Sequence, residues 1–162
     1  MYMRYTFSSL LFLVLLTGCA SRPEFDTAQV DRSLTPQSVI AEPESSRGKT
    51  MLWGGTILDT RNLKKITQIE ILAYPLNSNY RPQLENKPLG RFIINHPGYL
   101  EPTTYAQGRQ LTVLGKVSGS QSGKVGESLY TYPVISGEQL HLWLPTSERS
   151  RTSVHFGVGI GL

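Results

Sequence analysis

Apolar and polar positions alternate with a period of two over most of this chain, and they do so in short runs punctuated by Gly, Pro, Asn and Ser, which is the signature of strands and turns. Met51 to Leu58 is the first such run, with Gly54-Gly55 inside it at a position that predicts a bulge or sharp bend. Thr67 to Leu76 follows, with Ile69, Ile71 and Ala73 on one face and Pro75 marking its end; Gly90 to Asn95 is the third. Arg109 to Val117 alternates most clearly, placing Leu111, Val113, Gly115 and Val117 on one side and Thr112, Leu114 and Lys116 on the other. Ser118 to Gly123, nearly all Ser and Gly, predicts a polar hairpin loop. Ser128 to Ile135 then carries Tyr130, Tyr132 and Val134 on one face. Gln139 to Leu144 carries Leu140, Leu142 and Leu144 opposite His141 and Trp143, after a tight turn predicted at Ser136-Gly137. The tail alternates from Val154 to Leu162, with Phe156, Val158 and Ile160 between.

Six or seven short strands with glycine at bend positions predict an all-β domain over residues 50–162. A small antiparallel OB-like barrel with extra strands fits best, because closure removes exposed strand edges. A two-sheet sandwich uses the same composition.

The first 49 residues follow neither period. Arg4 precedes the unbroken apolar run Leu10 to Leu16. That run is too short for a bilayer-spanning helix, which takes about 20 residues, and it has the length of the apolar core of a secretory signal. Small residues Thr17 and Gly18 then lead into Cys19, the single cysteine of the chain. Leu16-Thr17-Gly18-Cys19 resembles a bacterial lipobox. The resemblance implies cleavage between Gly18 and Cys19, diacylglycerol on the Cys19 thiol and a third acyl chain on its freed amine. Two or more chains give stable anchoring, at roughly 0.8 kcal/mol per buried methylene. Residues 1–18 are thus read as a signal peptide. Ala20 in place of aspartate after the cysteine implies, by likeness to enteric lipoproteins, export to the outer membrane, with the domain facing the periplasm.

Residues 19–49 contain Pro23, Pro36 and Pro43, many Ser, Thr, Glu and Gln, and scattered apolar residues such as Phe25, Val30, Leu34, Val39 and Ile40. The segment reads as a flexible tether of about 30 residues, with a mean reach on the order of 30 Å. The competing reading lays Thr35 to Ala41 along the domain as a strand or helical turn.

The chain of 162 residues has 16 Lys+Arg against 12 Asp+Glu, and its excess of four falls by one with the loss of Arg4. This weak excess, with no basic run longer than Lys64-Lys65, predicts no nucleic-acid partner. One cysteine excludes an intrachain disulfide and any multi-cysteine zinc site. His96, His141 and His155 lie in separate segments, and no metalloprotease, nucleophile-elbow or paired-carboxylate spacing occurs. The expectation is no catalysis, no metal and no cofactor beyond the covalent lipid on Cys19. Aromatic side chains are numerous, and Tyr130, Tyr132 and Trp143 form the candidate binding face, since OB-like barrels bind oligosaccharides and oligonucleotides on one open face.

The series Trp53-Gly54-Gly55, Glu70 to Leu76, Gly90-Arg91-Phe92, Gly98 to Pro102, Leu111 to Gly115, Tyr130 to Val134 and Leu142-Trp143 resembles the Slp family of outer-membrane lipoproteins, and the likeness runs from the lipobox to the tail. It implies an anchored envelope protein associated with starvation or stationary-phase stress. The family brings no ligand or catalytic residue to carry over. The partners expected are outer-membrane lipid through the anchor and, for the domain, envelope proteins or a cell-wall glycan or peptide. A membrane-spanning barrel is disfavoured, because most strands here fall short of the 9 to 11 residues that spanning takes.

Overall fold

The computed structural model describes residues 23–145. Five strands, β1 (Thr50–Asn62), β2 (Ile66–Tyr74), β3 (Arg91–Pro97), β4 (Gln110–Val125) and β5 (Ser128–Leu142), close into a barrel in the order β1-β2-β3-β5-β4. All neighbours are antiparallel except β3 and β5, which run parallel over Ile93–Asn95 and Val134–Ser136. This is the five-stranded OB-like barrel that the alternation predicts.

Inward positions fill the barrel as the period of two requires. Met51 and Ile57 of β1, Ile69 and Ile71 of β2, Phe92 and Ile94 of β3, Leu111 and Val113 of β4 and Ile135 of β5 are buried in one cluster. Their outward neighbours include Glu70, Arg91 and Lys116. The interior is therefore a packed core, and the outer wall is charged.

Strand count and turn positions differ from expectation. Ser118 to Gly123 is not a loop: it lies inside β4 and pairs with β5 as far as Val125 opposite Ser128. Cross-strand hydrogen bonds do not depend on apolar side chains, so a Ser/Gly run can extend a hairpin beyond the core. The turn falls at Gly126, whose φ of +60° is the left-handed conformation a tight turn demands. Ser136-Gly137 is not a turn either. A register shift there leaves Glu138 unpaired between Gln139 opposite Leu114 and Gly137 opposite Gly115, so β5 bends and continues. A second bulge at Ser118 bends β4, and one at Leu58 bends β1. Gly54-Gly55 sits mid-strand, and a Cβ on Gly55 would lie 1.9 Å from the Leu72 carbonyl oxygen. Glycine there permits close approach of backbones, while the bulge falls three residues later. The expected tail strand lies outside the described residues.

The segment read as a tether docks from Pro23 onward. Helices α1 (Pro36–Ala41) and α2 (Pro43–Ser46) follow, α1 against β5 and α2 against β4. Thr35 caps α1: its hydroxyl accepts from the Ser38 amide, and the Ser38 hydroxyl accepts from the Thr35 amide, with Pro36 in the first turn. Leu34 and Val39 enter the same core cluster as Met51 and Trp53, and Trp53 Nε1 donates to the Leu34 carbonyl at 3.0 Å. The helical-turn alternative for Thr35 to Ala41 is the one observed. Loop residues Leu100 and Tyr105, which precede β4, pack on this core too. The Tyr105 carbonyl accepts from Thr60 Oγ1 near the far end of β1.

Candidate functional site

The outer face of β2 and β3 carries the densest polar chemistry of the barrel. Arg91 Nη1 lies 2.8 Å from Glu70 Oε1, and both side chains are largely covered. Where β5 diverges from β3, beyond the three-residue parallel ladder, the Arg91 amide has no strand partner. Tyr130 Oη accepts it at 2.9 Å. Tyr132 stacks edge-on against Tyr130, with centroids 4.7 Å apart, and its hydroxyl donates towards Glu70 Oε1 at 3.3 Å and the Lys124 carbonyl at 3.2 Å. Ile93, Tyr132 and Val134 form a small apolar cluster of their own outside the barrel. Burial, and then the Glu70 charge, raise the Tyr132 hydroxyl above the usual tyrosine range.

Of the candidate binding face, Tyr130 and Tyr132 come together, but Tyr132 is only 4% exposed. Its ring and hydroxyl lock the β4–β5 hairpin to the barrel instead of offering a stacking platform. Trp143 stands eleven residues further along, about 36 Å of strand contour. There Nε1 donates to Thr112 Oγ1 at 3.0 Å, Thr112 Oγ1 donates to the Tyr80 carbonyl at 2.7 Å, the His141 ring packs at 4.4 Å, and the Arg81 guanidinium lies 5.2 Å from the indole centroid. Trp143 is 7% exposed. The three residues therefore do not form one face. Burial lowers the His141 pKa.

His96 sits on β3 opposite Thr67, far along the fold from His141 at the end of β5. His155, Gly18 and Cys19 lie outside the described residues. No group of three metal-ligating side chains occurs among the described residues.

Sequence reasoning missed a cleft of about 510 Å³ between the docked N-terminal strap and the barrel. Trp53, Leu76 and Leu89 give it apolar walls, and Asp31, Arg32 and Asn77 give it polar ones. Hydrogen bonds from Ser33 hold the Asp31 carboxyl below its ordinary pKa, and Lys49 lies 3.5 Å away. The strap forms one wall, so only its docking creates the cleft. The sequence signal that was available is the Thr35-Pro36 pair with Ser38 three residues after the cap.

The model of the outer membrane lipoprotein Slp family matches residues 16–159, from the lipobox through the barrel. The chain belongs to this family. As a Slp-family chain it is an outer-membrane lipoprotein, and similar proteins are spread over two organisms. It is 33% identical over 134 residues to an uncharacterised protein of Haemophilus influenzae, covering 79% of this chain and 70% of that one. It is 30% identical to the lipoprotein YeaY of Escherichia coli, over 85% of this chain and 71% of the relative. The outer membrane protein Slp of Escherichia coli is 28% identical over 80% of this chain and 69% of its own length. Among solved structures, a small single-stranded DNA-binding protein from Streptomyces coelicolor aligns with a TM-score of 0.35 and 13% identity, over 60% of this chain and 95% of its own.

Proposed function

We propose that this Slp-family lipoprotein is a non-catalytic interaction module of the envelope, held by acyl chains on Cys19 and presenting its barrel to the periplasm. The observation that carries the reading is the lipobox at Leu16 to Cys19, only four residues before a strap that is built into the barrel core. Replacing Cys19 by Ala and fractionating cells tests the anchor, and a variant that still fractionates with membranes as the native protein does would defeat it. Nucleic acid is not expected as a partner, given the weak positive excess. A role under starvation or in stationary phase rests on the family resemblance, and protein abundance followed through growth tests it.

A second reading is favoured by the cleft, whose volume falls in the range of small-ligand sites. A short glycan or peptide would bind there, against Trp53, and not on the tyrosines. Titration of the protein with cell-wall fragments, following tryptophan fluorescence, separates the sites. Binding weakened by Arg32→Ala and untouched by Tyr130→Ala supports the cleft; a conversion product in the mixture would overturn the non-enzyme reading.

A further inference from the structure

A 30-residue coil between anchor and domain would let the barrel tumble freely, but the docked strap removes most of that slack. The first fixed points are Glu24, whose carbonyl accepts from Gln139 Nε2 at 2.7 Å, and Phe25, which is buried edge-on against Tyr80 with centroids 5.6 Å apart. Cys19 and Glu24 are five residue steps apart. Whatever path they take, those steps span at most about 18 Å, against roughly 100 Å of contour for 30 free residues. The Glu24–Phe25 corner must therefore lie close to the lipid.

What adjoins that corner is a connected set of side chains that ends in an exposed leucine. Phe25 touches Tyr80, the Tyr80 carbonyl bonds Thr112, Thr112 bonds Trp143, and Arg81 lies over the Trp143 ring while donating to the Leu144 carbonyl at 3.2 Å. Leu144 itself is 62% exposed. Phe25 and Trp143 are buried beneath this end and Arg81 is bonded to Gln110, so the apolar side chain that it offers to lipid is Leu144. The other end of β5 leads away: from Gln139 to Ser128 the strand runs roughly 35 Å to the hairpin turn.

We propose that the barrel end that carries Glu24, Gln139 and the exposed Leu144 faces the phospholipid headgroups of the outer membrane, with the hairpin tip at Gly126-Glu127 held away from them. This rests on the acylation of Cys19. The short leash sets the orientation. A partner of this protein is then met at the hairpin end, away from the lipid.

The test uses the mature full-length lipoprotein in vesicles of phosphatidylethanolamine and phosphatidylglycerol containing a nitroxide-headgroup lipid. With the Cys19 thiol acylated, Leu144→Cys or Glu127→Cys supplies a single labelling position for a fluorophore. Quenching is expected to be several-fold stronger at position 144 than at 127, and a spacer of Gly and Ser inserted between Arg22 and Pro23 is expected to erase the difference. Equal quenching at both positions, in protein that floats with the vesicles and carries the lipid by mass spectrometry, overturns the orientation alone. Undiminished contrast in the spacer variant overturns the leash as its cause. Protein without lipid overturns the anchor and the orientation together.

Discussion

Two polar, low-complexity stretches flank the barrel core, and they are held by opposite means. The strap, residues 23–49, makes few backbone bonds to the barrel: Val30 bridges Thr50, the Asp31 amide donates to the Thr50 carbonyl at 2.9 Å, and Gly48 and Val117 pair at the far end. It is fixed by buried side chains, Phe25, Leu34, Pro36 and Val39 among them. The hairpin arm beyond Ser118 has continuous pairing between β4 and β5 but little apolar surface, and Leu129 near its tip is 83% exposed. Tyr130, Tyr132 and Val134 tie it to β2 and β3. Side-chain burial supports one stretch and backbone pairing the other, so they should fail differently.

The largest effect is expected from Val39→Asp, which puts a carboxylate where Val39 is 0% exposed inside the barrel cluster. Lost burial plus an unpaired buried charge should cost about 3 kcal/mol or more, read as a fall in the urea midpoint. An equal charge at Leu129 should cost almost nothing. A Val39→Asp protein as stable as the native would show that the strap is a passenger on the fold.

Next is Gly115→Ala at the base of the arm, where a Cβ would sit 2.3 Å from the Ser136 carbonyl oxygen. The strands must part to admit it, at about 1 to 3 kcal/mol. Hydrogen exchange should quicken along both β4 and β5, while the strap keeps its protection.

Tyr132→Phe removes the hydroxyl shared between Glu70 and the Lys124 carbonyl, for about 1 kcal/mol. The loss should be local, appearing as faster exchange from Ser120 to Pro133 with little change in Ile69 or Val113. Thr35→Ala should cost a similar amount, about 1 kcal/mol, through loss of the α1 cap. Its exchange signature should appear in Val39 to Ala41 and leave the arm untouched. If both variants loosen the same amides, the two stretches are one cooperative unit and the contrast dissolves.

The barrel was legible because its inward positions, Ile69, Ile71, Leu111 and Val113 among them, obey a strict period of two. The arm was misread because Ser118 to Gly123 has no apolar period, and pairing through backbone groups leaves no trace in side-chain pattern. The strap left little trace because Phe25, Leu34 and Val39 are spaced too irregularly to show a face. Tyr130 and Tyr132 were placed correctly on one face of their strand, and sequence alone does not reveal that this face is covered by Glu70, Arg91 and Lys124. The cleft was invisible for the same reason as the strap that walls it.

The smallest effect separates the two ends of β5 by pH. His141, beside Trp143, is desolvated, so its folded pKa lies below the unfolded value of about 6.5. In acid the unfolded chain binds the proton first, and stability present above that value declines as pH falls through it towards the folded pKa. Tyr132 has the opposite sign: its folded pKa is raised, so the stability it contributes is intact below about 10 and fades as pH rises through the folded value. Urea midpoints measured across pH should thus show a shallow acid slope that His141→Gln flattens and an alkaline slope that Tyr132→Phe flattens. Exchange measured alongside should place the acid loss near Thr112 and Trp143, and the alkaline loss in the arm. An acid slope unchanged in His141→Gln would mean that another group drives it and that burial against Trp143 costs the imidazolium little.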